Sequence, residues 1–439
     1  MKLPHPLILL LGGVAVCAAL TWLLPPGEYD RRDDPATGRR VVVAGTYHRV
    51  DPAPVGPFRA VVAVPRGFVE AADVIGLVLF VGAAWVVVDR IGTLGRLIGS
   101  LVSAFGSRGL VAIPLVSFFF GTMGALENME EEIIPLVPVL LLLGRGLGVD
   151  AVSVVSMSFG AAMIGAAFGP TNPFQAGIAM KLAQLPPMSA VPLRWVTFAA
   201  AMTLWIAWTL WHAVRTRTTP AAPSAGVTHA SAKDVVILLI AVTPMAAYVY
   251  GAVKLDWGFN ELSGGFLVAG VIAGLLGGLG ATGTTVAYLQ GMQAMVPAAI
   301  FIGVARSLSL VLTDGRVTDT ILNGLASPLS RAPANVASLL MIPFHAIVHV
   351  AVPSVSGQAV LTMPIMVPLS DLLGISRQVA VLAYQTGAGL TELLTPTNGA
   401  LMAVLLAAGV PYGKWIRFAA IGLLLPLIVG IIAMIAAGS

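Results

Sequence analysis

The sequence predicts an all-α polytopic membrane protein built from two inverted structural repeats, each containing a re-entrant helical hairpin and a broken helix. Three observations carry this reading. The 439 residues are 57% hydrophobic and only 10% charged, with a mean hydropathy of +0.92, whereas a soluble domain of that size needs far more surface charge. Apolar runs of about 20 residues, the length that crosses a hydrocarbon core of roughly 30 Å, recur from one end of the chain to the other. An ordered set of proline, glycine, asparagine and tryptophan residues occurs twice.

The first apolar run, 6–24, follows Lys2 and ends in Pro25-Pro26-Gly27-Glu28. That ending lacks the small-residue cleavage site of a secretory signal, so the run is expected to be a retained first helix. It holds Cys17, the single cysteine; no disulfide or cysteine-based metal site can form within the chain, and packing is its expected role. Residues 25–70 carry arginines, aspartates and prolines and are expected to be a partly structured external segment. Further spans are expected at 71–88, 193–214, 234–253, 262–279, 297–312 and 415–437. Stretches 109–147 and 333–373 each hold two apolar halves around a polar tip and read as hairpins that enter and return on one side. Runs 151–185 and 378–410 are interrupted by Pro-Thr-Asn and read as broken helices, tolerable at membrane depth only where protein or water satisfies the freed backbone. The stretch 215–233, rich in Thr, Pro, Ala and Ser, reads as a flexible linker between a first half, 1–214, and a second, 234–439.

With Lys2 inside, nine crossings put the linker with Arg215, Arg217 and Lys233 in the cytoplasm and Ser439 outside. The basic segment 25–70 is then an exception to the positive-inside bias, which longer segments follow less strictly. The formal charge of +4 sits in loops and does not suggest nucleic acid.

Pro170-Thr171-Asn172 recurs as Pro396-Thr397-Asn398, 226 positions later. At the same offset Pro138 matches Pro364, Leu147-Gly148 match Leu373-Gly374, and Ala162 matches Ala388. Asp89 and Thr93 match Asp314 and Thr318 at an offset of 225, and Trp195 and Phe198 match Trp415 and Phe418 at 220. Low-complexity apolar sequence yields chance Leu and Val matches, not these residues in one order. The copies start on opposite faces, and inverted repeats with discontinuous helices are an architecture of secondary transporters, with substrate near the midplane.

A broken helix offers backbone N–H groups to an anion and carbonyls to a cation such as Na⁺. Thr171, Asn172, Thr395, Thr397 and Asn398 add side-chain oxygens at the two breaks. The second tip, Ser354-Val355-Ser356-Gly357-Gln358, supplies hydroxyls, a permissive glycine and an amide. The first tip, Glu127-Asn128-Met129-Glu130-Glu131-Glu132, is strongly acidic; carboxylates at membrane depth usually mark ion or substrate pathways, while in a solvent loop they would be merely hydrated. Glu131 and Glu132 run into the next helix and are the stronger candidates. Arg306 could bind a substrate carboxylate bidentately or pair with a tip glutamate, and Glu392 could carry a coupling proton or bind a cation. His345 and His349 share a helical face, but a zinc protease motif needs Glu where Ala346 stands, and no third ligand is evident. Packing or an interfacial position is their expected role, with an intramembrane metalloenzyme as the rival from another class. No nucleotide-binding loop, paired aspartate motif or serine elbow is present.

Segments 351–374 (AVPSVSGQAVLTMPIMVPLSDLLG) and 395–402 (TPTNGALM), followed by Val410-Pro411-Tyr412-Gly413-Lys414-Trp415, resemble YfcC-type proteins of the C4-dicarboxylate anaerobic carrier and basic amino-acid antiporter family. Met129 with Glu131-Glu132 and Ile134-Pro135, Thr171-Asn172-Pro173-Phe174, Pro4-His5-Pro6 and residues 45–49 resemble its first-half motifs. The resemblance implies the wider ion-transporter superfamily, elevator-type homodimers in which two hairpins and two broken helices form a mobile transport domain. Carried over by position, it marks Glu131, Glu132, Thr171, Asn172, Ser356, Gly357, Thr397 and Asn398. Where the family pattern is Gly-Asp-Gly-Phe-Thr-Asn, this chain has Gly387-Ala388-Gly389-Leu390-Thr391-Glu392: one acid is absent at 388 and another present at 392.

The resulting expectation is a secondary carrier or exchanger of the bacterial cytoplasmic membrane, not an enzyme and without a cofactor, coupled to Na⁺ or H⁺. The acidic tip favours a basic amino acid; a C4-dicarboxylate is the alternative if Arg306 faces the site.

Overall fold

The computed structural model describes residues 6–35, 38–186, 189–219, 230–255 and 257–438, and it is mostly helical. The expected linker falls largely on 220–229, outside the described residues, as does Ser439.

The first helix, Pro6–Leu23, stands where the first apolar run predicts it. The segment after it is more ordered than expected. Two short antiparallel ribbons pair Gly27–Glu28 with His48–Arg49 and Arg31–Asp34 with Arg39–Val42. An amphipathic helix, Pro57–Glu70, follows. This helix belongs to the bundle, because a Cβ on Gly67 would meet the Gly303 carbonyl oxygen at 2.2 Å. Only a residue without a side chain permits that approach. Asp319 ties the ribbons down through Arg31 Nη2 and the Tyr29 N–H, each at 2.9 Å.

Helices Ala72–Arg90, Val191–Arg215, Ala232–Lys254 and Phe259–Leu276 match expected spans. The span expected at 297–312 is instead a 35-residue helix, Gly280–Asp314, with Pro297 inside it. Its length is about 52 Å at 1.5 Å per residue. The hydropathy pattern missed its first half because Thr284 and Thr285 are polar by type, yet their hydroxyls donate back to the Gly280 and Ala281 carbonyls at 2.7 and 3.0 Å.

Interruptions occur at the four expected places. Ala112–Glu127 stops at Asn128, which is left-handed (φ 58°, ψ 39°), and a tight 3₁₀ stretch Glu131–Leu136 leads into Val137–Leu147. Ala334–Ala351 is followed by Val355–Leu372, whose cap is Ser354. The helix through 151–168 breaks and resumes at Pro173, and Arg377–Thr391 breaks before Gly399–Ala407. Two shorter helices, Thr93–Phe105 and Thr318–Ala326, begin on the matched threonines. Each half therefore repeats one order of elements: long helix, threonine-led helix, interrupted pair, broken helix, and a closing element, Val191–Arg215 in the first half and, over the span expected at 415–437, Tyr412–Gly422 followed by Leu424–Gly438 in the second.

Among the described residues, eight helices are long and apolar enough to cross a membrane, including Gly109–Glu127 and Ala334–Ala351. Length alone thus lets the first limb of either interrupted pair span. Small residues set the closest crossing: a Cβ on Gly124 would lie 1.9 Å from the Ala162 carbonyl oxygen, and one on Gly165 1.9 Å from that of Gly121. This contact presses the end of Ala112–Glu127 against the first break.

Candidate functional site

At the first break, Asn172 restarts the helix. Its Oδ1 accepts from the Phe174 and Gln175 N–H groups at 2.9 and 2.7 Å. Its Nδ2 donates to the Gly124 carbonyl at 2.9 Å and to Asn128 Oδ1 at 3.1 Å. The Thr171 hydroxyl donates to the Ala125 carbonyl at 2.9 Å. Both side chains are spent clasping the first tip, and neither borders the cavity described next. The break expected to bind a ligand is here filled by the protein's own carbonyls.

The second break is built alike and used differently. Asn398 Oδ1 accepts from the Leu401 N–H at 2.8 Å, again as a helix cap. Its Nδ2, however, donates to two carboxyl groups, Glu130 Oε1 at 2.6 Å and Glu392 Oε2. Thr395 and Thr397 share a hydroxyl hydrogen bond of 2.7 Å, with Thr397 on the cavity and Thr395 buried behind it.

A cavity of about 410 Å³ joins this break to both tips. Glu127, Glu130, Glu131 and Glu132 line it from the first tip, Ser354 and Ser356 from the second, and Glu392, Thr397 and Asn398 from the break. Glu70 and Asp73, at the junction of two helices, complete a set of seven carboxyl side chains, against two guanidinium groups, Arg39 and Arg306. Glu132 Oε2 accepts from the Glu130 N–H at 3.0 Å, folding the tip on itself. Both carboxyl oxygens of Glu127 are buried without a hydrogen-bond partner among the described residues.

Gly357 and Gln358 do not border the cavity. The Gly357 N–H is bound to Ser354 Oγ at 3.2 Å, and Gln358 is wholly buried. Arg306 borders the cavity but pairs with Glu70 at 3.2 Å rather than with a tip glutamate. Both histidines are wholly buried, which excludes the interfacial position. His349 Nε2 stands 2.9 Å from Glu392 Oε1. Among the described residues no three His, Cys, Asp or Glu side chains are placed to hold a metal, so the metalloenzyme alternative still lacks a third ligand.

Sequence reasoning missed Glu70, Asp73, Arg39 and the role of His349. Glu70 and Asp73 flank the boundary between the supposed external segment and the span expected at 71–88, a polar-to-apolar edge where acids look like ordinary loop residues. Arg39 reaches the cavity only through ribbon pairing, for which the sequence carries no signal. His349 was legible only as a partner of His345 because Glu392 is 43 positions away.

The family model for the C4-dicarboxylate anaerobic carrier matches residues 3–438 of the chain. The chain is 28% identical to the "Putative basic amino acid antiporter YfcC" of Escherichia coli (strain K12), over 95% of this chain and 93% of that protein. It is 27% identical to an uncharacterized protein of Haemophilus influenzae, over 86% of this chain and 78% of that one. The Alcanivorax borkumensis YdaH transporter aligns with 98% of both chains at 17% identity and a TM-score of 0.43.

Proposed function

The chain belongs to the C4-dicarboxylate anaerobic carrier family, a family of multi-pass membrane transporters rather than enzymes, and from that premise we propose that it is an ion-coupled carrier or exchanger for a basic amino acid. The observation that carries this reading is the acidic cavity. Seven carboxyl side chains face two arginines, and one acid, Glu127, has two buried oxygens that no donor among the described residues reaches. A substrate ammonium or guanidinium group satisfies such oxygens with charge-assisted hydrogen bonds. Carboxylates gathered at membrane depth are costly without a cationic partner. The relative from Escherichia coli carries an antiporter name with the same substrate class.

A C4-dicarboxylate is the second reading, favoured by the family's name and by Arg39 and Arg306 on the cavity wall. Arg306 would then have to leave Glu70.

The finer architecture belongs to the same proposal: inverted repeats, re-entrant tips, an elevator movement of the interrupted and broken helices, a homodimer, and an inner-membrane location with a cytoplasmic N-terminus. Its support is the repeated order of elements and the paired caps Asn172 and Asn398. The deciding experiment is a thermal-shift screen of purified protein against L-arginine, L-lysine and C4-dicarboxylates, with Na⁺ present and absent. A basic amino acid should raise the melting temperature. A rise with dicarboxylates alone would replace the first reading with the second.

A further inference from the structure

We propose that Glu392 and His349 form a proton-binding site in which one exchangeable proton lies between Glu392 Oε1 and His349 Nε2, released to the cavity when a cationic substrate binds and regained when it leaves. This inference rests on the carrier reading above, and it follows from the directions in which the surrounding hydrogen bonds can run.

Gln358 Nε2 lies 2.8 Å from the backbone carbonyl of His345. A carbonyl only accepts, so the amide nitrogen is fixed there and Oε1 faces His349. That oxygen stands 2.8 Å from His349 Nδ1, which must therefore carry a hydrogen. In a neutral ring Nε2 is then a bare lone pair. It lies 2.9 Å from Glu392 Oε1, off the line of an ideal hydrogen bond, with the histidine side chain fully buried and the glutamate 5% exposed.

The other carboxyl oxygen is constrained too. Asn398 Oδ1 is held by the Leu401 N–H at 2.8 Å, so its amide nitrogen faces the acids and donates to Glu392 Oε2. Any proton on Glu392 is thus directed to Oε1. Two acceptors set against each other in a buried place are costly, and a proton between them turns the repulsion into a hydrogen bond. The bond that breaks on release is N–H or O–H at this one point, and the proton passes to cavity water. The carboxylate left behind balances the arriving cation. Glu392 borders the cavity while His349 lies behind it, so the proton has one open side.

Among the described residues, Glu130 and Glu131 face Glu392 from the first tip, with Glu132 on the same cavity wall; Tyr384 stands on the helix that ends at Glu392, and Arg39 comes from the ribbon. His345 lies one turn before His349. Glu130, bridged through Asn398 Nδ2, is the nearest competitor for the substrate's charge.

The test is calorimetric titration of the full-length protein with L-arginine in buffers of different ionisation enthalpy, together with the slope of log Kd against pH. Wild type should release about one proton per substrate bound. His349→Gln and Glu392→Gln should each bring that number close to zero, and His48→Gln, on the exposed ribbon and in contact with neither the pair nor Gln358, should leave it unchanged. If His349→Gln loses the wild-type melting curve, Glu392→Gln carries the same decision with an isosteric side chain. Wild-type binding without proton release, or release that survives both substitutions, overturns the inference. Failure of every basic amino acid to bind would refute the substrate reading instead. The pair is then decided by nitrogen NMR of the six histidines, with His349→Gln assigning the resonance. Nδ1 should stay protonated throughout, and the Nε2 signal should titrate in wild type but not in Glu392→Gln. An unprotonated Nδ1, or an Nε2 signal indifferent to Glu392, sinks it.

Discussion

Asn172 and Asn398 are the same residue at matched positions with the same capping role, yet their amide nitrogens face opposite chemistry. Asn172 donates into backbone and Asn398 into carboxyl groups. Asn172→Ala should therefore act on stability: it removes a cap, leaves the buried Gln175 N–H without its acceptor and frees the Phe174 N–H, while the Gly124 carbonyl keeps the Asn128 N–H, for a loss of about 1–3 kcal/mol. The folded fraction should keep its substrate affinity within about twofold, read by calorimetry beside a melting curve. Asn398→Ala should instead lower affinity severalfold or more in protein that still folds. Equal effects of the two on affinity would mean that the first break also touches substrate. Glu127→Gln makes the complementary test at the tip. It should weaken a basic amino acid by about 1–3 kcal/mol, the worth of one charge-assisted hydrogen bond, roughly 5–150-fold in Kd, and leave a dicarboxylate bound as well or better. Unchanged binding of both would place Glu127 outside the substrate path.

At the scale of elements, Asp150 shows how the halves are tied beyond the cavity. It caps the helix that starts at Ala151, accepting from the Ser153 N–H and hydroxyl at 2.9 and 2.8 Å. It also reaches His212 at 3.4 Å on the closing helix of the first half and Lys414 at 3.3 Å on that of the second. Burial alone would raise its carboxyl, but the hydrogen bonds from His212 and Ser153 outweigh burial and hold it well below the usual carboxylate range. A depressed folded-state value gives stability that is complete above the unfolded value of about 3.9 and is lost as pH falls through the folded one. The melting temperature of wild type should thus drop between about pH 5 and 3 more steeply than that of Asp150→Asn, and the variant should melt lower at pH 7. Parallel curves would show that the carboxyl is not held by these partners. The crossing of Ala112–Glu127 over 151–168 is the other element-level constraint. Gly165→Ala places a methyl 1.9 Å from a backbone oxygen and should destabilise by about 1–3 kcal/mol through overpacking, with loss of transport as the clasp at Asn172 shifts.

For the whole molecule, the orientation of the two halves decides whether the repeats are inverted. Single cysteines at Asp33, Thr218 and Gly438, labelled from each side of intact cells, should report outside, inside and outside. Labelling of Thr218 and Gly438 from one face would make the repeats parallel and remove the basis for an elevator. Much of this architecture was legible in the sequence. Runs of apolar residues dictate membrane-length helices because lipid leaves the backbone no other partner; Pro-Thr-Asn repeated at a fixed offset marked the two breaks because proline ends a helix for a local, steric reason, and polar tips between apolar halves marked the other two interruptions. Pro57–Glu70 escaped because it is amphipathic, burying Ala60, Ala63 and Gly67 while Arg59, Arg66 and Glu70 stay exposed, and the first half of Gly280–Asp314 escaped because its threonine hydroxyls are satisfied by their own helix, which hydropathy cannot register. The acids of the first tip, Glu392 and Asn398 were legible as candidates, since carboxylates and broken helices in apolar sequence are costly by themselves. Which of two identical Pro-Thr-Asn motifs faces the cavity, that Arg306 pairs with Glu70, and that His349 stands against Glu392 were decided only by the tertiary structure. Those are contacts across 46, 236 and 43 positions of chain, set by how closely glycine-lined helices approach, and local sequence carries no record of the distance between helices.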